Sequence, residues 1–312
     1  MAIMKRTAQT TIGQSISFEG VGLHSGVAVN VTLEPGKPNS GVVIVRTDLP
    51  EQPVIRALSQ NVTNTRLATT LTENGASVST VEHLLAAVKG LGIDNLVVKV
   101  DGPEFPILDG SSLPFCEMFD SVGLVTQAAA RRFLRLKRKV EVRLGEKWAV
   151  AEPSDRLEIN AAIDWDHPMI GYQEFHFVEG ETSFRREIAA SRTFCMARDI
   201  EYMRSIGLIK GGSLECAVVM DEAGAVNEGG LRFEDELIRH KVLDALGDLQ
   251  LAGAGLKASL KLFRTGHELH AKLLETILSD ARNYEWVEEV VPTEKSRTPE
   301  YSTELGVETA FA

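Results

Sequence analysis

The segment FEDELIRHKVLDALGDLQ sets His240, Asp244 and Asp248 at steps of four residues. On a helix such residues lie nearly above one another on one face. Carboxylates among Val, Leu and Ala side chains need a cation or hydrogen-bond donors to offset the loss of water. A second segment, TVEHLL, carries Glu82 beside His83. Two imidazoles and one carboxylate, with a fourth place open for water, make the ligand set of a catalytic zinc. His83, His240 and Asp244 are the candidate ligands. Glu82 adjoins a ligand without being one, which is the place for a general base acting on a metal-activated water. Asp248 lies too far along the helix to share the same ion comfortably. It is placed to orient His267, which follows Gly266 and opens the last helical segment, where a helix N-terminus favours anions. A plainer reading stands beside this one. His-x-x-x-Asp arises by accident in a chain with 7 histidines, and a helical His is commonly a core or surface residue. His267 on the same footing is a surface cap. Spacing alone leaves these alternatives open.

The elements that must position these residues show in the hydrophobic pattern. VAVNVTL alternates, with Val27, Val29, Val31 and Leu33 on one face of a strand, and GVVIVR and NLVVKVD are two more strand candidates. STVEHLLAAVKGLG predicts a helix, with Val81, Leu84, Leu85 and Val88 in register, Ser79 and Glu82 at capping-box spacing, and Gly90 as its stop. A second helix fits SSLPFCEMFDSVG. The pattern breaks at TQAAARR, which divides residues 1–128 from residues 129–292. Beyond it FLRLKRKVEVR alternates through Leu134, Leu136, Val140 and Val142, and LEINAAI through Leu157, Ile159, Ala161 and Ile163. The helix bearing His240 follows, then a strand at ASLKLF and a long helix over GHELHAKLLETILSDARNYE. Each half thus runs strands, helix, strand, helix. The expected fold is α+β: two similar domains, each a mainly antiparallel sheet layered on two helices, with helices packed at the domain interface. Such an interface is a common place for a site. Residues 293–312 show no clear period and predict a flexible tail, a handle for a cytosolic protease.

Length and composition narrow the class. The 312 residues suit two domains, and 44% hydrophobic residues supply ample core. With 33 Lys+Arg against 44 Asp+Glu the net charge is −11, which argues against nucleic acid or an anionic membrane as a bulk partner. A small anionic substrate needs only a local cationic cluster. Cys116, Cys195 and Cys216 are odd in number and form no CxxC pair, so reduced thiols and a cytoplasmic location are expected. The start lacks a secretory h-region and no run is long enough to span a bilayer, so no stable membrane insertion is expected. GxSxG, Walker and GxGxxG patterns are absent. Cys195 in RTFCM has no evident activating partner and reads as a structural thiol. His167 reads as a turn residue; His176 and His270 read as ordinary surface residues.

The stretches GVGLHSG, STVEHLLAA, GLGIDN, ILDGSSLPF, SRTF, RDIEY, GLRFEDELIRHKVLDALGDL and the Gly266–His267 pair occur in order from about residue 5 to 285. Together they resemble the UDP-3-O-acyl-N-acetylglucosamine deacetylases, zinc enzymes of the committed step of lipid A synthesis in Gram-negative bacteria. The resemblance implies one Zn²⁺ on His83, His240 and Asp244, with Glu82 as base. It implies His267, supported by Asp248, as an electropositive acid or charge stabiliser, and Thr193 as a hydrogen-bond donor to the tetrahedral oxyanion. Lys241 would meet the substrate diphosphate, Phe194 and His24 would line the sugar site, and Trp165 would stack on uracil. The substrate would be a UDP-linked 3-O-acylglucosamine. An acyl groove is expected in a βαβ-like insert near residues 197–220, lined by Ile200, Ile209, Leu214, Ala217 and Val219 and interrupted by Gly207, Gly211 and Gly212. Trp165, Arg66 and Leu214 depart from common family choices, which bears on acyl preference. A metal amidohydrolase of another acylated sugar and a non-catalytic nucleotide-sugar binding protein are the rival readings. The spread of matching motifs speaks against the first, and the retained Glu82 against the second.

Overall fold

Five strands of the first half lie in the order Ile16–Val21, Ala28–Pro35, Leu96–Val100, Val42–Arg46, Val54–Arg56 in the computed structural model, which describes residues 7–180 and 182–289. Five strands of the second half lie in the order Val140–Leu144, Lys147–Pro153, Gly255–Phe263, Leu157–Trp165, Gly171–Val178. The pairings correspond step by step. Each series runs antiparallel, antiparallel, parallel, antiparallel. The parallel pair has a simple cause. The middle strand is added last, after the chain has crossed back through a helix, and such a crossover lets it run parallel to an earlier strand. The element order repeated in the two halves is therefore visible as one strand order used twice. The α+β class with mainly antiparallel sheets holds.

The helices are α1 (Glu82–Leu91), α2 (Leu113–Val122), α3 (Ile200–Ser205), α4 (Glu236–Leu249) and α5 (His267–Leu278). In each half one helix precedes the middle strand and one follows it, and α1 packs directly against α4, with α2 on α1 and α5 on α4. The core is continuous from the strand residues Val31, Leu33, Ile44 and Val98 through the helices to Leu157, Ile159 and Leu260. Close approach of α1 and α4 requires Gly247. A Cβ there would lie 2.1 Å from the carbonyl oxygen of Glu82, so any side chain would separate the two helices where the functional residues sit.

Several local expectations change. α1 begins without a side-chain cap, with Val81 at its N-cap. The Ser79 hydroxyl instead hydrogen-bonds with that of Thr70, and the Glu82 carboxylate turns to the Thr69 amide. Gly90 does not stop the helix. It lies inside it, where a Cβ would strike the Phe184 ring, and Gly92, in the left-handed conformation, is the cap. TQAAA is no break: Leu124–Ala130 is a strand paired antiparallel with Ala8–Ile12. FLRLKRKVEVR forms two strands, Arg132–Leu136 and Val140–Leu144, because LKRK carries the turn between them. Val27 precedes its strand and is exposed. The last helix ends at Leu278, and Tyr284–Glu288 is a strand beside Arg132–Leu136. The insert forms as a βαβ unit: Phe194–Met196 and Val218–Asp221 pair in parallel with α3 between them. It starts at Phe194 rather than near 197. The tail at 293–312 lies outside the described residues. Among those described, no helix is long and apolar enough to cross a membrane.

Candidate metal centre and active site

The contact of α1 with α4 brings His83, His240 and Asp244 together, all buried, with ligand atoms within 4.8 Å of one another. The i, i+4 step places His240 Nε2 3.3 Å from Asp244 Oδ1, and His83 Nε2 approaches the same oxygen to 3.9 Å from α1. His240 Nδ1 donates to the carbonyl of Ser191 at 3.1 Å, which fixes the tautomer and leaves Nε2 with its lone pair toward the cluster. The Ser191 carbonyl is held in turn by Arg192. Its amide and Nε both donate to Glu236 Oε1 at 2.9 Å, and its Nη2 donates to Glu236 Oε2 at 3.0 Å, inside the first turn of α4. This explains SRTF beside FEDELIRH: one buried ion pair sets the loop against the helix.

The donor set fits a divalent metal such as zinc. Burial, with the neighbouring His240 adding to it, lowers the His83 imidazole to about 3, so it is neutral. Its Nδ1 is buried without a hydrogen-bond partner. For Asp244, burial acts to raise the carboxyl, but His240 and Lys241 outweigh it and hold it well below its ordinary value. The neutral His83 imidazole, the His240 imidazole and the Asp244 carboxylate converge, and protein groups alone leave the cluster under-satisfied.

Glu82, His267 and Asp248 form the adjoining group. Glu82 is 2% exposed. Burial raises its carboxyl to about 7, against the opposing pull of His267. His267 Nε2 lies 3.6 Å from Glu82 Oε1, and His267 Nδ1 donates to Asp248 Oδ2 at 2.7 Å. Burial alone would lower the His267 imidazole, but Asp248 and Glu82 overcome it and raise it to about 10. A cationic imidazole therefore stands beside a carboxyl poised near neutrality. His270 is not a surface residue. It is 1% exposed, and its Nδ1 donates to the same Asp248 oxygen at 2.8 Å. Its i+3 position after His267 on α5 was the available signal. His167 is likewise buried, its Nδ1 accepting from the Met169 amide, while His176 is exposed.

Two cavities meet at this centre. One, of about 450 Å³, is lined by the cluster, Glu82, His267, Thr193, Phe194, Trp165 and Lys241. Trp165 and Phe194 stand 5.5 Å apart. Lys241 does not point freely into it: its Nζ donates to Asp244 Oδ2 at 2.8 Å and lies 5.3 Å from the Phe194 ring. Lys147 and Arg264, unremarked in the sequence, add positive charge to the wall. The second cavity, about 190 Å³ and mainly apolar, is lined by all five of Ile200, Ile209, Leu214, Ala217 and Val219. Cys195 also lies on it, half-buried, so it is less enclosed than a structural thiol would be. Leu67, Thr193 and Phe194 belong to both walls and join the two spaces. Arg66 is exposed and lines neither; its neighbour Leu67, at φ +62° and also exposed, borders both cavities instead.

His24 sits on the apolar cavity rather than the polar one, with both ring nitrogens buried and unpartnered. Burial lowers its imidazole. Glu104, which the sequence reading missed, pins its loop. It accepts from the amides of His24 at 2.8 Å and Ser25 at 2.7 Å and from the Thr80 hydroxyl at 2.9 Å. Gly22 is required there because a Cβ would meet the Glu104 carboxylate at 2.5 Å. Gly110, at φ +82°, similarly lets ILDGSS touch the insert. Its carbonyl accepts from the Thr193 amide at 2.8 Å.

Paired α+β halves that close on two imidazoles, three carboxyl groups and a cationic histidine form a cleft suited to metal-assisted hydrolysis. Comparison with known proteins narrows this class. The chain belongs to the family described as UDP-3-O-acyl N-acetylglycosamine deacetylase (LpxC), which matches residues 9–279. It is 46% identical over 279 residues to the UDP-3-O-acyl-N-acetylglucosamine deacetylase of Myxococcus xanthus, covering 89% of each chain. It is 45% identical over 282 residues to that of Haemophilus influenzae strain PittEE, covering 89% of this chain and 92% of the relative. With that of Helicobacter pylori it shares 43% over 277 residues, 89% of this chain and 93% of the relative.

Proposed function

We propose that the chain is a zinc-dependent hydrolase that removes acetate from the 2-acetamido group of UDP-3-O-(3-hydroxyacyl)-N-acetylglucosamine, the committed step of lipid A biosynthesis. The observation that carries this reading is the buried His83, His240, Asp244 cluster with Glu82 and His267 beside it. Zinc, when bound by those three residues, would supply Lewis acidity toward the amide carbonyl and the attacking water. Glu82 takes the proton as the water oxygen bonds to the acetyl carbon, a role suited to a carboxyl near 7. Thr193 and the His267 cation face the oxygen on which charge develops. The C–N bond then breaks, and a proton from Glu82 or His267 goes to the departing amine, giving acetate and the amino sugar. Asp248 keeps His267 protonated.

The cavities match the substrate's parts. The polar space would take the UDP-sugar, with Trp165 against the uracil and Lys241, Lys147 and Arg264 near the diphosphate. Phe194 lies on both walls and His24 on the apolar one, so both would border the sugar where the acyl chain departs. The insert cavity would take that chain. The two halves would divide near residues 128 and 129, toward the end of the strand Leu124–Ala130. A cytoplasmic location, with the tail as a protease handle, belongs to the same reading.

The test is metal analysis combined with deacetylation of the UDP-sugar. Glu82→Ala should retain zinc and lose roughly 10²-fold or more in kcat, since general-base catalysis contributes 10²–10⁴-fold. His83→Ala should lose the metal as well. A Glu82→Ala protein with equal zinc and near-normal turnover would overturn the mechanism.

A further inference from the structure

Thr69 is 2% exposed and belongs to neither the metal cluster nor a cavity wall. It lies just before the strand Thr70–Glu73 of the first half. Its backbone amide donates to Glu82 Oε2 at 3.1 Å, and its hydroxyl donates to Asp248 Oδ1 at 2.6 Å. Each bond occupies the carboxylate oxygen that His267 does not use. Glu82 Oε1 faces His267 Nε2, and Asp248 Oδ2 accepts from His267 Nδ1. Thr69, Glu82, His267 and Asp248 thus close a four-membered circuit that spans both halves of the chain. A carboxylate with one oxygen free can rotate about its last torsion; with both oxygens engaged it has one orientation.

We propose that Thr69 is a positioning residue for the acid–base pair: its amide aims the base Glu82 and its hydroxyl fixes Asp248, and through it His267, across the contact of α1 with α4. This rests on the functional reading above. Main-chain and side-chain donors of one residue set the separation of two groups that come from opposite halves, so proton transfer depends on a residue that touches neither substrate nor metal. Valine fills the same volume and removes only the donor, leaving Asp248 Oδ1 one hydrogen bond short.

The experiment uses the zinc-loaded protein. Thr69→Val should lower kcat by roughly 10- to 100-fold, the range found when a group orienting an active-site residue is removed. KM and zinc content should stay unchanged, and Thr69→Ser should restore most of the rate. Imidazole NMR supplies a readout that needs no substrate: the His267 Nδ1 proton resonance should move in Thr69→Val and return in Thr69→Ser. A kcat within about twofold of the parent, a loss confined to KM, or an equal loss in Thr69→Val and Thr69→Ser would each overturn the proposal. If Thr69→Val does not fold, Thr69→Ala against Thr69→Ser decides it by the same comparison. A parent protein that fails to deacetylate the UDP-sugar, yet shows the shift of the His267 resonance, would refute the functional reading and leave the circuit standing.

Discussion

Gly247→Ala should separate catalysis from stability. The added methyl would sit 2.1 Å from the Glu82 carbonyl oxygen, 2.8 Å from its carbon and 3.0 Å from its Cα. All three are backbone atoms, so no side-chain rotation relieves the clash. Ordinary carbon contacts begin at about 3.5 Å, so α1 and α4 must part by more than about 1 Å at this point. Stability falls only in part: alanine gains about 1 kcal/mol over glycine inside a helix, against about 1–3 kcal/mol for overpacking a core. The net loss is about 0–2 kcal/mol. Function changes far more, because Glu82 and His83 lie on α1 and His240, Asp244 and Asp248 on α4. A displacement of ~1 Å between reacting groups costs roughly 10²-fold in rate. The assay is kcat for deacetylation beside Tm and bound zinc for the two proteins. A variant with parental kcat and zinc affinity would refute the claim that the Gly247 contact sets the geometry of the centre.

Three further outcomes follow from the site. Leu214→Trp should penalise long-chain substrates more than short ones, since each CH₂ kept out of the apolar cavity forfeits about 0.8 kcal/mol; zinc content should not change, and a uniform loss across chain lengths would move the groove elsewhere. Lys241→Ala should weaken inhibition by free UDP, and because Lys241 also donates to Asp244, zinc affinity should fall with it; Trp165→Ala should weaken UDP alone, and unchanged UDP inhibition in both variants would remove the assignment. The His267 imidazole, raised from 6.5 to about 10 in the folded chain, contributes stability that is complete below pH 6.5 and lost as pH rises through about 10. Asp248→Asn should weaken that alkaline dependence, since Asp248 is the largest of the groups that raise His267, and Tm profiles with equal slopes above pH 7 in parent and variant would contradict it.

Much was legible before folding. The strands–helix–strand–helix order, used twice, appears as one strand order in both sheets. Its signals were local: alternation at period 2 and apolar spacing at 3.6. The step of four from His240 to Asp244 and Asp248 is equally local, because a helix alone puts them in line. Local signals misled where tertiary contact sets the boundary. Gly90 looked like a helix stop but serves a close approach to Phe184, and TQAAA looked like a linker but completes a strand whose partner is Ala8–Ile12, more than a hundred residues earlier in the chain. His270 looked superficial until α5 was laid on α4. Thr69 gave no signal, since its two bonds reach residues 13 and 179 positions away. The sequence determined which residues could do chemistry and which helix faces would carry them. Only the tertiary structure decided that the faces of α1 and α4 meet, because that depends on Gly247 admitting the Glu82 carbonyl and on Thr69 bonding both Glu82 and Asp248, distances between segments that share no period.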